Sequence, residues 1–431
     1  MLVITYKNWE KYLHHEHMNQ KIILAYSGGL DTSVLLKWLV DKGYEVIAYV
    51  GDVGQKEDFS AVKEKALLLG ATKVYVEDLK QGFVEQYVFQ ALKANAMYEG
   101  QYLLGTALAR PIIAQKQIDI AKKEGTTMLC HGCTGKGNDQ IRFEFTWMRF
   151  MPTVQIMSPW KNKEWLSQFT GRPDLIQYAK QHNIPIDVSM EKPYSTDENL
   201  MHKSYEGGIL ENPAQAPHED MFTLTVSPQR APDKETFLCI TFEEGIPVSV
   251  TNITENKTVT GSLELFIYLN ALAGKNGIGR SDIVENRVVG MKSRGVYETP
   301  AGTILLKAHR DLESIVLSRG AIHLKQLLSP MIATLIYNGF WHSSEMDMLM
   351  AAIDKSQEHV SGSVYVTLYK GNVTVVGRES EYSLYDEAIA SMDIEGGYNQ
   401  TDARGFINIA GLPLKLQGVK DEIMGKKVYI A

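Results

Sequence analysis

The chain has little cysteine, no excess of positive charge and no long apolar run. Only three cysteines occur in 431 residues, which excludes a disulfide scaffold. Lysine and arginine number 44 against 51 aspartates and glutamates, and the resulting net charge of −7 argues against a nucleic-acid-binding surface. No apolar stretch reaches the length of a membrane span, and we expect no signal peptide before the fold. These absences predict a cytoplasmic protein without nucleic-acid or membrane partners.

The first half of the chain alternates strand-like and helix-like segments. This alternation predicts an α/β fold with a doubly wound, mostly parallel sheet that binds its ligands at the carboxyl ends of the strands. The predicted strands are 21–26, 45–50, 73–76 and 127–131. The predicted helices are 34–40, 56–69, 83–97 and 105–124.

The most informative segment, residues 27–33, follows the first predicted strand and has the sequence S-G-G-L-D-T-S. Its glycines let the backbone approach an anion closely, and the N–H groups of the following helical turn point at that anion. Ser27, Thr32 and Ser33 add hydroxyl donors. Asp31 adds a carboxylate where a magnesium ion bound to phosphates would sit. The segment predicts a nucleotide-phosphate site, and a tight turn without a ligand is the alternative.

This loop matches neither of two common phosphate-binding patterns. The chain has no G-x-x-x-x-G-K-[ST], and no G-x-G-x-x-G opens the helix. The loop resembles instead the pyrophosphate loop of the ATP pyrophosphatases. The resemblance implies cleavage of ATP between its α and β phosphates.

A second polar loop, residues 131–144, follows the predicted strand 127–131 and contains three glycines together with charged and amide side chains. Asp139 is suited to accept a hydrogen bond from an ammonium group, and Arg142 to clamp a carboxylate through two hydrogen bonds. The mixture predicts a site for a zwitterionic amino acid beside the nucleotide. A solvated loop leading into a helix is the alternative.

Cys130 and Cys133 have the C-x-x-C spacing of redox centres and zinc sites. A zinc site needs a second ligand pair, and Cys239 stands alone in the sequence. A thioredoxin-like motif precedes a helix, whereas a glycine-rich stretch follows here. These features favour cysteines that take part in neither metal binding nor redox chemistry. A metal-binding or redox role is the alternative.

The second half of the chain predicts a separate α+β domain. The chain is expected to leave the parallel sheet near residues 184–186, and prolines and glycines become frequent around 213–232. The substrate site is expected between the domains, a common location for ligand pockets. The polar segment 285–297 belongs to this half, and a surface hairpin is its simplest interpretation. The predicted strands are 237–242, 248–251, 363–369 and 372–377. The predicted helices are 263–272, 312–337 and 344–358.

Several long motifs together resemble the argininosuccinate synthetase family. Two are the loop A-Y-S-G-G-L-D-T-S and the stretch G-C-T-G-K-G-N-D-Q-I-R-F-E. The others are residues 98–111, 194–206 and 279–303. The resemblance covers residues 20–415 and implies an adenine nucleotide alpha hydrolase-like domain, a synthetase domain and a C-terminal oligomerisation tail. The expected divisions are an N-terminal extension at 1–18, the nucleotide-binding domain at 19–187, the synthetase domain at 188–402 and the tail at 403–431.

The resemblance also implies an activity, the ligation of citrulline to aspartate at the expense of ATP. The ureido oxygen of citrulline attacks the α-phosphate to give a citrullyl-adenylate and pyrophosphate, and the aspartate amine then displaces AMP. ATP is expected as its Mg²⁺ complex, without a tightly bound cofactor or a protein-held metal. Members act in arginine biosynthesis or the urea cycle, and the implied assembly is a homotetramer.

The family match assigns residues to three subsites. The expected ATP contacts are Ala25, Tyr26, Ser27, Gly28, Gly29, Leu30, Asp31, Thr32, Ser33, Ala48 and Gly132. The expected citrulline contacts are Tyr102, Thr106, Asn138, Arg142, Ser195, Ser204, Glu285 and Tyr297. The expected aspartate contacts are Thr134, Asn138 and Asp139. No general base is assigned.

Two other functions remain as alternatives. Another ATP pyrophosphatase would share the first loop, but a glutamine-dependent synthetase needs an ammonia-producing domain and a tRNA enzyme is expected to be basic. A non-catalytic nucleotide-binding regulator would have no need for Arg142, Glu285 and Tyr297. Pyrophosphate release that depends on both amino acids separates these possibilities.

Overall fold

The computed structural model describes residues 20–135, 137–185, 194–391 and 397–425. The N-terminal extension expected at 1–18 lies outside these residues. The chain forms two compact units, the first extending to Tyr382 and the second beginning at Ser383.

A five-stranded parallel sheet organises the N-terminal half, in the spatial order β3-β2-β1-β4-β5. Four of these strands were expected. The fifth has three residues and is too short to show an alternating pattern in the sequence. The strands are β1 (Lys21–Ala25), β2 (Glu45–Asp52), β3 (Lys73–Asp78), β4 (Met128–His131) and β5 (Gln155–Met157).

Helices cover both faces of this sheet. Ile22 and Leu24 of β1 pack on one side, whereas Ile23 between them packs on the other, so that successive side chains enter two different cores. This arrangement confirms the doubly wound α/β prediction. The helices of this half are α1 (Leu30–Asp41), α2 (Phe59–Leu68), α3 (Lys80–Phe83), α4 (Phe89–Lys93), α5 (Gly105–Glu124), α6 (Asp139–Phe150), α7 (Lys163–Gln168) and α8 (Arg172–Gln181).

The helix predicted at 83–97 is shorter and irregular. A π-helical turn at Val84–Val88 joins α3 to α4, and the helix ends before Asn95, whose φ of 52° is left-handed. Asparagine tolerates this conformation better than most residues, and its side chain is anchored by the neighbouring domain. The chain then turns towards α5.

Two antiparallel sheets form the second half. The four-stranded sheet has the order β11-β12-β7-β6, and the five-stranded sheet has the order β10-β9-β8-β13-β14. The segment 285–297 lies in the hairpin of β11 and β12, which packs into the four-stranded sheet. The strands are β6 (Ser195–Glu198), β7 (Lys203–Glu206), β8 (Thr236–Glu243), β9 (Ile246–Asn252), β10 (Lys257–Thr260), β11 (Arg280–Asn286), β12 (Lys292–Glu298), β13 (Gly362–Tyr369) and β14 (Asn372–Glu379).

The prediction of one helix over 312–337 was wrong. The chain is extended at Ser318, whose hydroxyl accepts a hydrogen bond from the Ala321 N–H and caps a new helix. Short 3₁₀ turns occupy Pro159–Lys161, Gly208–Glu211 and Glu219–Met221. The longer helices are α9 (Ser262–Lys275), α10 (Pro300–Val316), α11 (Arg319–Tyr337) and α12 (Ser344–Gln357).

In the described part of the second unit, residues 383–391 and 397–425, three short helices carry exposed apolar side chains, among them Phe406, Leu414 and Ile423. Across the described part of the chain, no helix combines the length and apolar character required to cross a bilayer. The helices of this unit are α13 (Glu387–Ala390), α14 (Asp402–Ala410) and α15 (Leu412–Ile423).

Candidate active site

The glycine loop between β1 and α1 is held in shape by its own hydroxyl groups. The Oγ of Ser27 lies 3.0 Å from Oγ1 of Thr32, and Oγ of Ser33 donates to the Gly28 carbonyl at 3.2 Å. Gly28 has a φ of 72°, in the left-handed region. Lys65 from α2 donates to the same Gly28 carbonyl at 2.7 Å, which holds the loop against its neighbouring helix. These contacts hold the loop in one conformation.

The remaining predicted ATP residues surround this loop. Gly132 follows β4 beside the end of β1, and a Cβ there would lie 2.9 Å from Cγ2 of Thr32. Glycine thus allows the two loops to meet. Burial raises the pKa of the Asp31 carboxyl, and the positive charge of Arg172 opposes that rise. The side chain of Ala48 points into the core of the sheet, so any nucleotide contact there would come from backbone.

Asp139 and Arg142 lie one turn apart at the start of α6 and form an ion pair of 2.9 Å. The second oxygen of Asp139 accepts from Nε of Arg110 on α5, also at 2.9 Å. Burial would raise the pKa of Asp139, but the two guanidinium groups outweigh it and lower the pKa. The carboxylate is therefore charged and already partnered by two arginines.

The Arg142 guanidinium is buried and oriented by the second half of the chain. Its Nε and Nη2 atoms both donate to the carbonyl oxygen of Tyr337, at 3.1 and 3.0 Å. A substrate carboxylate would therefore meet the remaining N–H groups of Nη1 and Nη2. The oxygen of the Asn138 side chain accepts from the Val288 N–H at 3.2 Å, and Thr134 is exposed on the loop.

A chain of polar contacts continues from Asp139 to Thr106, a predicted citrulline contact, through residues that sequence reasoning left without a role. Arg110 also pairs with Asp197 at 2.9 Å, and Thr106 donates to the other oxygen of Asp197 at 2.7 Å. Nε2 of His202 lies 2.9 Å from the Thr106 hydroxyl. Burial lowers the pKa of His202 to about 4, so the ring is neutral. Because the Thr106 hydroxyl already donates to Asp197, Nε2 of His202 is the donor in its contact with Thr106. Arg110, Asp197 and His202 stand within the quoted motifs, which was the available signal.

The predicted citrulline residues of the second half all lie on one face of the four-stranded sheet. Tyr297 pairs with Ser204, and Ser204 pairs with Asp197, so these three side chains share a face. Ser195 lies two residues before Asp197 on β6. Glu285 lies four residues after Ser281 on β11, and Ser281 pairs with Tyr297. The period of two therefore brings the whole set to the same side.

Glu285 is the buried anionic group of this face, with a relative exposure of 5%. The hydroxyl of Tyr297 donates to one of its oxygens at 2.9 Å, and the hydroxyl of Tyr337 donates to the other at 2.6 Å. Tyr297 reaches Glu285 across Gly295, where a Cβ would lie 2.3 Å from the tyrosine hydroxyl. The sheet needs glycine at this position for the contact to form.

Stacked aromatic rings join the two halves of the chain around Glu285. Tyr102 from the N-terminal half stacks on Tyr297 with a centroid distance of 4.5 Å. Tyr98 stacks on Tyr337 at 3.8 Å and donates its hydroxyl to the Asn286 carbonyl at 2.8 Å. Tyr98 and Tyr337 were not predicted site residues. Tyr98 opens the quoted motif 98–111, whereas no quoted motif contains Tyr337.

Cys130 and Cys133 lie beside the nucleotide loop in different environments, whereas Cys239 lies in β8 of the antiparallel five-stranded sheet. All three are free thiols. Cys130 is buried within β4, and burial raises the pKa of its thiol. Cys133 is half-buried, and its N–H donates to Nδ1 of His131 at 3.3 Å. This bond uses the lone pair of Nδ1 and leaves Nε2 to donate to Glu144 at 3.0 Å.

Comparison with known proteins agrees with this arrangement. A model of the arginosuccinate synthase N-terminal HUP domain matches residues 21–185, and a model of the arginosuccinate synthase C-terminal domain matches residues 194–417. Argininosuccinate synthase of Thermotoga maritima is 60% identical over 399 residues, covering 93% of this chain and 98% of the relative. That of Pseudothermotoga lettingae is 54% identical over 424 residues, covering 95% and 100%. That of Rattus norvegicus is 53% identical over 394 residues, covering 91% and 96%.

These matches extend over both halves of the chain, on either side of the contacts that join Arg142 to Tyr337 and Tyr102 to Tyr297. The family predicted from the motifs is thereby confirmed. With similarity of this extent, the chain belongs to the argininosuccinate synthase family.

Proposed function

We propose that the protein joins citrulline and aspartate into argininosuccinate, with conversion of ATP to AMP and pyrophosphate. One observation carries the proposal. The Asp139–Arg110–Asp197–Thr106 chain of contacts connects the residues expected at aspartate with those expected at citrulline. Asp139, expected at aspartate, also pairs directly with Arg142, expected at citrulline, at 2.9 Å, so the two proposed substrates would be neighbours.

The glycine loop is the proposed site for the ATP phosphates. Its Gly28 turn and the first turn of α1 supply backbone N–H groups, the exposed Ser27 supplies a hydroxyl, and Thr32 and Ser33 hold the loop in shape. ATP would enter as its Mg²⁺ complex, in which the metal neutralises the leaving pyrophosphate. Asp31 lies where it could contact the hydrated ion. We propose that the reaction proceeds without a tightly bound cofactor.

Citrulline is proposed to lie on the sheet face. Glu285 would pair with its α-ammonium group, Arg142 would bind its carboxylate, and Ser204 and Tyr102 would add neutral hydrogen bonds or contacts. Thr106 and Asp197 lie between this subsite and Arg110. Ser195 is exposed at the edge of the same face.

Aspartate is proposed to bind at Thr134, Asn138 and Asp139. Asp139 would accept from the substrate amine, and its pairing with Arg110 and Arg142 keeps it ionised for this task. Positioning then does most of the catalytic work, because oriented reactants need no covalent enzyme intermediate. The ureido oxygen attacks the α-phosphate, pyrophosphate leaves, and the aspartate amine displaces AMP from the activated carbon.

The proposed assembly is a homotetramer in the cytoplasm. Exposed apolar side chains occur on α11, at Leu324, Leu327 and Met331, and on the helices of the second unit. Exposed apolar surface of this kind supports association. Three free thiols are in keeping with a reducing compartment.

The decisive experiment measures pyrophosphate release from Mg²⁺–ATP with citrulline, aspartate, both or neither. The proposal expects AMP, pyrophosphate and argininosuccinate in equal amounts only when both amino acids are present. Release without either amino acid would indicate another ATP pyrophosphatase. Nucleotide binding without any release would indicate a regulator.

A further inference from the structure

A buried polar cluster lies where α4 ends, within the second half's helices and apart from the proposed substrate contacts. Its members are nearly inaccessible to solvent and contact one another. The Asn95 amide donates to Glu313 at 2.7 Å, and the Gln357 amide donates to the other Glu313 oxygen at 2.7 Å. His309 lies between these two amides, with its ring nitrogens 3.0 and 2.8 Å from their oxygens. Lys325 completes the cluster through an ion pair with Glu313.

The cluster also binds the backbone at the end of α4. Nζ of Lys325 donates to the Lys93 carbonyl at 2.6 Å, and the Ser329 hydroxyl donates to the Ala94 carbonyl at 2.7 Å. The last carbonyls of a helix have no partner within the helix, and a cation there also interacts favourably with the helix dipole. Two side chains of α11 thus cap a helix of the nucleotide-binding half.

The capped end leads directly into the substrate-facing segment. Tyr98 and Tyr102 follow Asn95 within one short loop before α5 begins. The same α11 that carries Lys325 ends at Tyr337, which stacks on Tyr98. One helix therefore holds the segment 96–104 at its base and contacts it again beside Glu285.

We propose that Lys325 is a positioning residue for citrulline binding: by capping α4 it fixes the segment that presents Tyr98 and Tyr102 to the substrate. This inference rests on the proposed function for its substrate. Glu313 balances the lysine charge, and Ser329 provides the second cap. In this proposal the buried cluster does more than stabilise the fold, because it also fixes the segment 96–104.

The test compares Lys325→Met and Ser329→Ala with the unaltered full-length chain. Lys355→Met is the matched control, because Lys355 of α12 is an exposed lysine that also pairs with a glutamate, Glu358. Ser329→Ala removes one cap without leaving Glu313 unpaired, so it serves if Lys325→Met does not fold. The first readout is amide hydrogen exchange in residues 96–104, and the second is the split between the KM for citrulline and the KM for ATP.

We expect exchange in 96–104 to rise in both variants and to stay unchanged in the control. The citrulline KM should rise about tenfold in Lys325→Met, the effect of losing a charge-assisted hydrogen bond, with the ATP KM within twofold. A purely structural role would lower the melting temperature without this selectivity. Unchanged exchange in a folded variant, or equal increases in both KM values, would overturn the inference. If the unaltered chain forms no argininosuccinate, the proposed function fails, whereas the exchange experiment still decides whether the caps fix the segment.

Discussion

Tyr337 donates its hydroxyl to Glu285 at 2.6 Å while its own carbonyl oxygen accepts from Arg142. A single residue thus orients the anion and the cation that are proposed to recognise the two ends of one amino acid. It does so from α11, through a hydroxyl and a main-chain group that face different partners. Changes at this residue can therefore separate the two contacts.

Tyr337→Phe removes only the hydroxyl and leaves the carbonyl contact to Arg142 in place. Because hydrogen bonds to charged groups contribute about 1.5–3 kcal/mol, we expect the citrulline KM to rise roughly tenfold or more. The ATP KM should stay within twofold. Steady-state kinetics with each substrate varied in turn measures both, with Tyr369→Phe on the other sheet as the control. Equal citrulline KM values in the two variants would show that the Tyr337 hydroxyl does not orient Glu285 for citrulline binding.

Arg142→Ala removes the proposed carboxylate partner and leaves Asp139 with Arg110 alone. We expect the citrulline KM to rise by about 100-fold, as for the loss of a charge-assisted contact, with a much smaller change in the ATP KM. Arg149→Ala in the same helix is the matched control, because Arg149 is exposed. Comparable increases for citrulline and ATP would contradict the role assigned to Arg142.

Gly28→Ala tests the left-handed turn of the phosphate loop. A side chain there is strained at a φ of 72° and would lie 3.1 Å from Cγ2 of Val62. Gly125→Ala provides the comparison, since its φ is 71° and nothing lies within 4 Å of the new atom. Both should lose about 1–2 kcal/mol of unfolding free energy, but only Gly28→Ala should weaken ATP binding. Calorimetric titration with Mg²⁺–ATP distinguishes them, and equal affinities would argue against the loop as the phosphate site.

Gly295→Ala should displace Tyr297 from Glu285, because the new Cβ would lie 2.3 Å from the tyrosine hydroxyl. The expected result is a citrulline KM raised about tenfold, the cost of one hydrogen bond to a charged group. Gly320→Ala is the control, because Gly320 lies in α11 without a left-handed φ and with no atom within 4 Å of the new Cβ. If Gly295→Ala leaves citrulline binding intact, the Tyr297 contact is dispensable.

Glu144 provides a pH-dependent test of stability beside the nucleotide loop. Burial would raise the pKa of its carboxyl, but hydrogen bonds from His131, Lys161 and Ser158 outweigh it and lower the pKa to about 2. A depressed carboxyl pKa stabilises the fold above the unfolded value of 4.5, and this contribution is lost as the pH falls towards 2.

Glu144→Gln should therefore lower the free energy of unfolding by about 1–3 kcal/mol near pH 7 and by progressively less below pH 4.5. Denaturant titrations at several pH values measure the difference, with Glu381→Gln at an exposed position as the control. A difference that is constant with pH would show that the Glu144 charge does not stabilise the fold.

Local signals in the sequence predicted much of the nucleotide-binding half. The helix over 105–124 has the predicted bounds. It ends at Gly125, whose φ is 71°, and a glycine after a helical pattern is a signal that can be recognised in the sequence. The boundary between α10 and α11 was missed because apolar residues recur at helical spacing on both sides of the short segment Ser318-Arg319-Gly320. The capping hydrogen bond of Ser318 depends on a backbone turn rather than on composition.

The candidate site also contains residues that local sequence signals predict and contacts that they do not. The glycine loop is local, so its residues could be predicted from their own neighbours. The partners of Arg142 could not, because the Tyr337 carbonyl lies 195 positions away along the chain. Backbone acceptors also leave no mark on residue identity, since every residue carries a carbonyl.

The four-stranded sheet presents substrate-facing side chains on one side, while Glu298 on the other side binds the backbone of Thr223, Leu224 and Thr225. Inserting one residue within β12 would exchange these two sides beyond the insertion. Tyr297 would then leave Glu285, and Glu298 would enter the substrate face with a second negative charge. Within these strands, the site can therefore tolerate insertion or deletion of two residues, but not of one. At the hairpin ends, a single residue can be inserted or deleted without loss of the site.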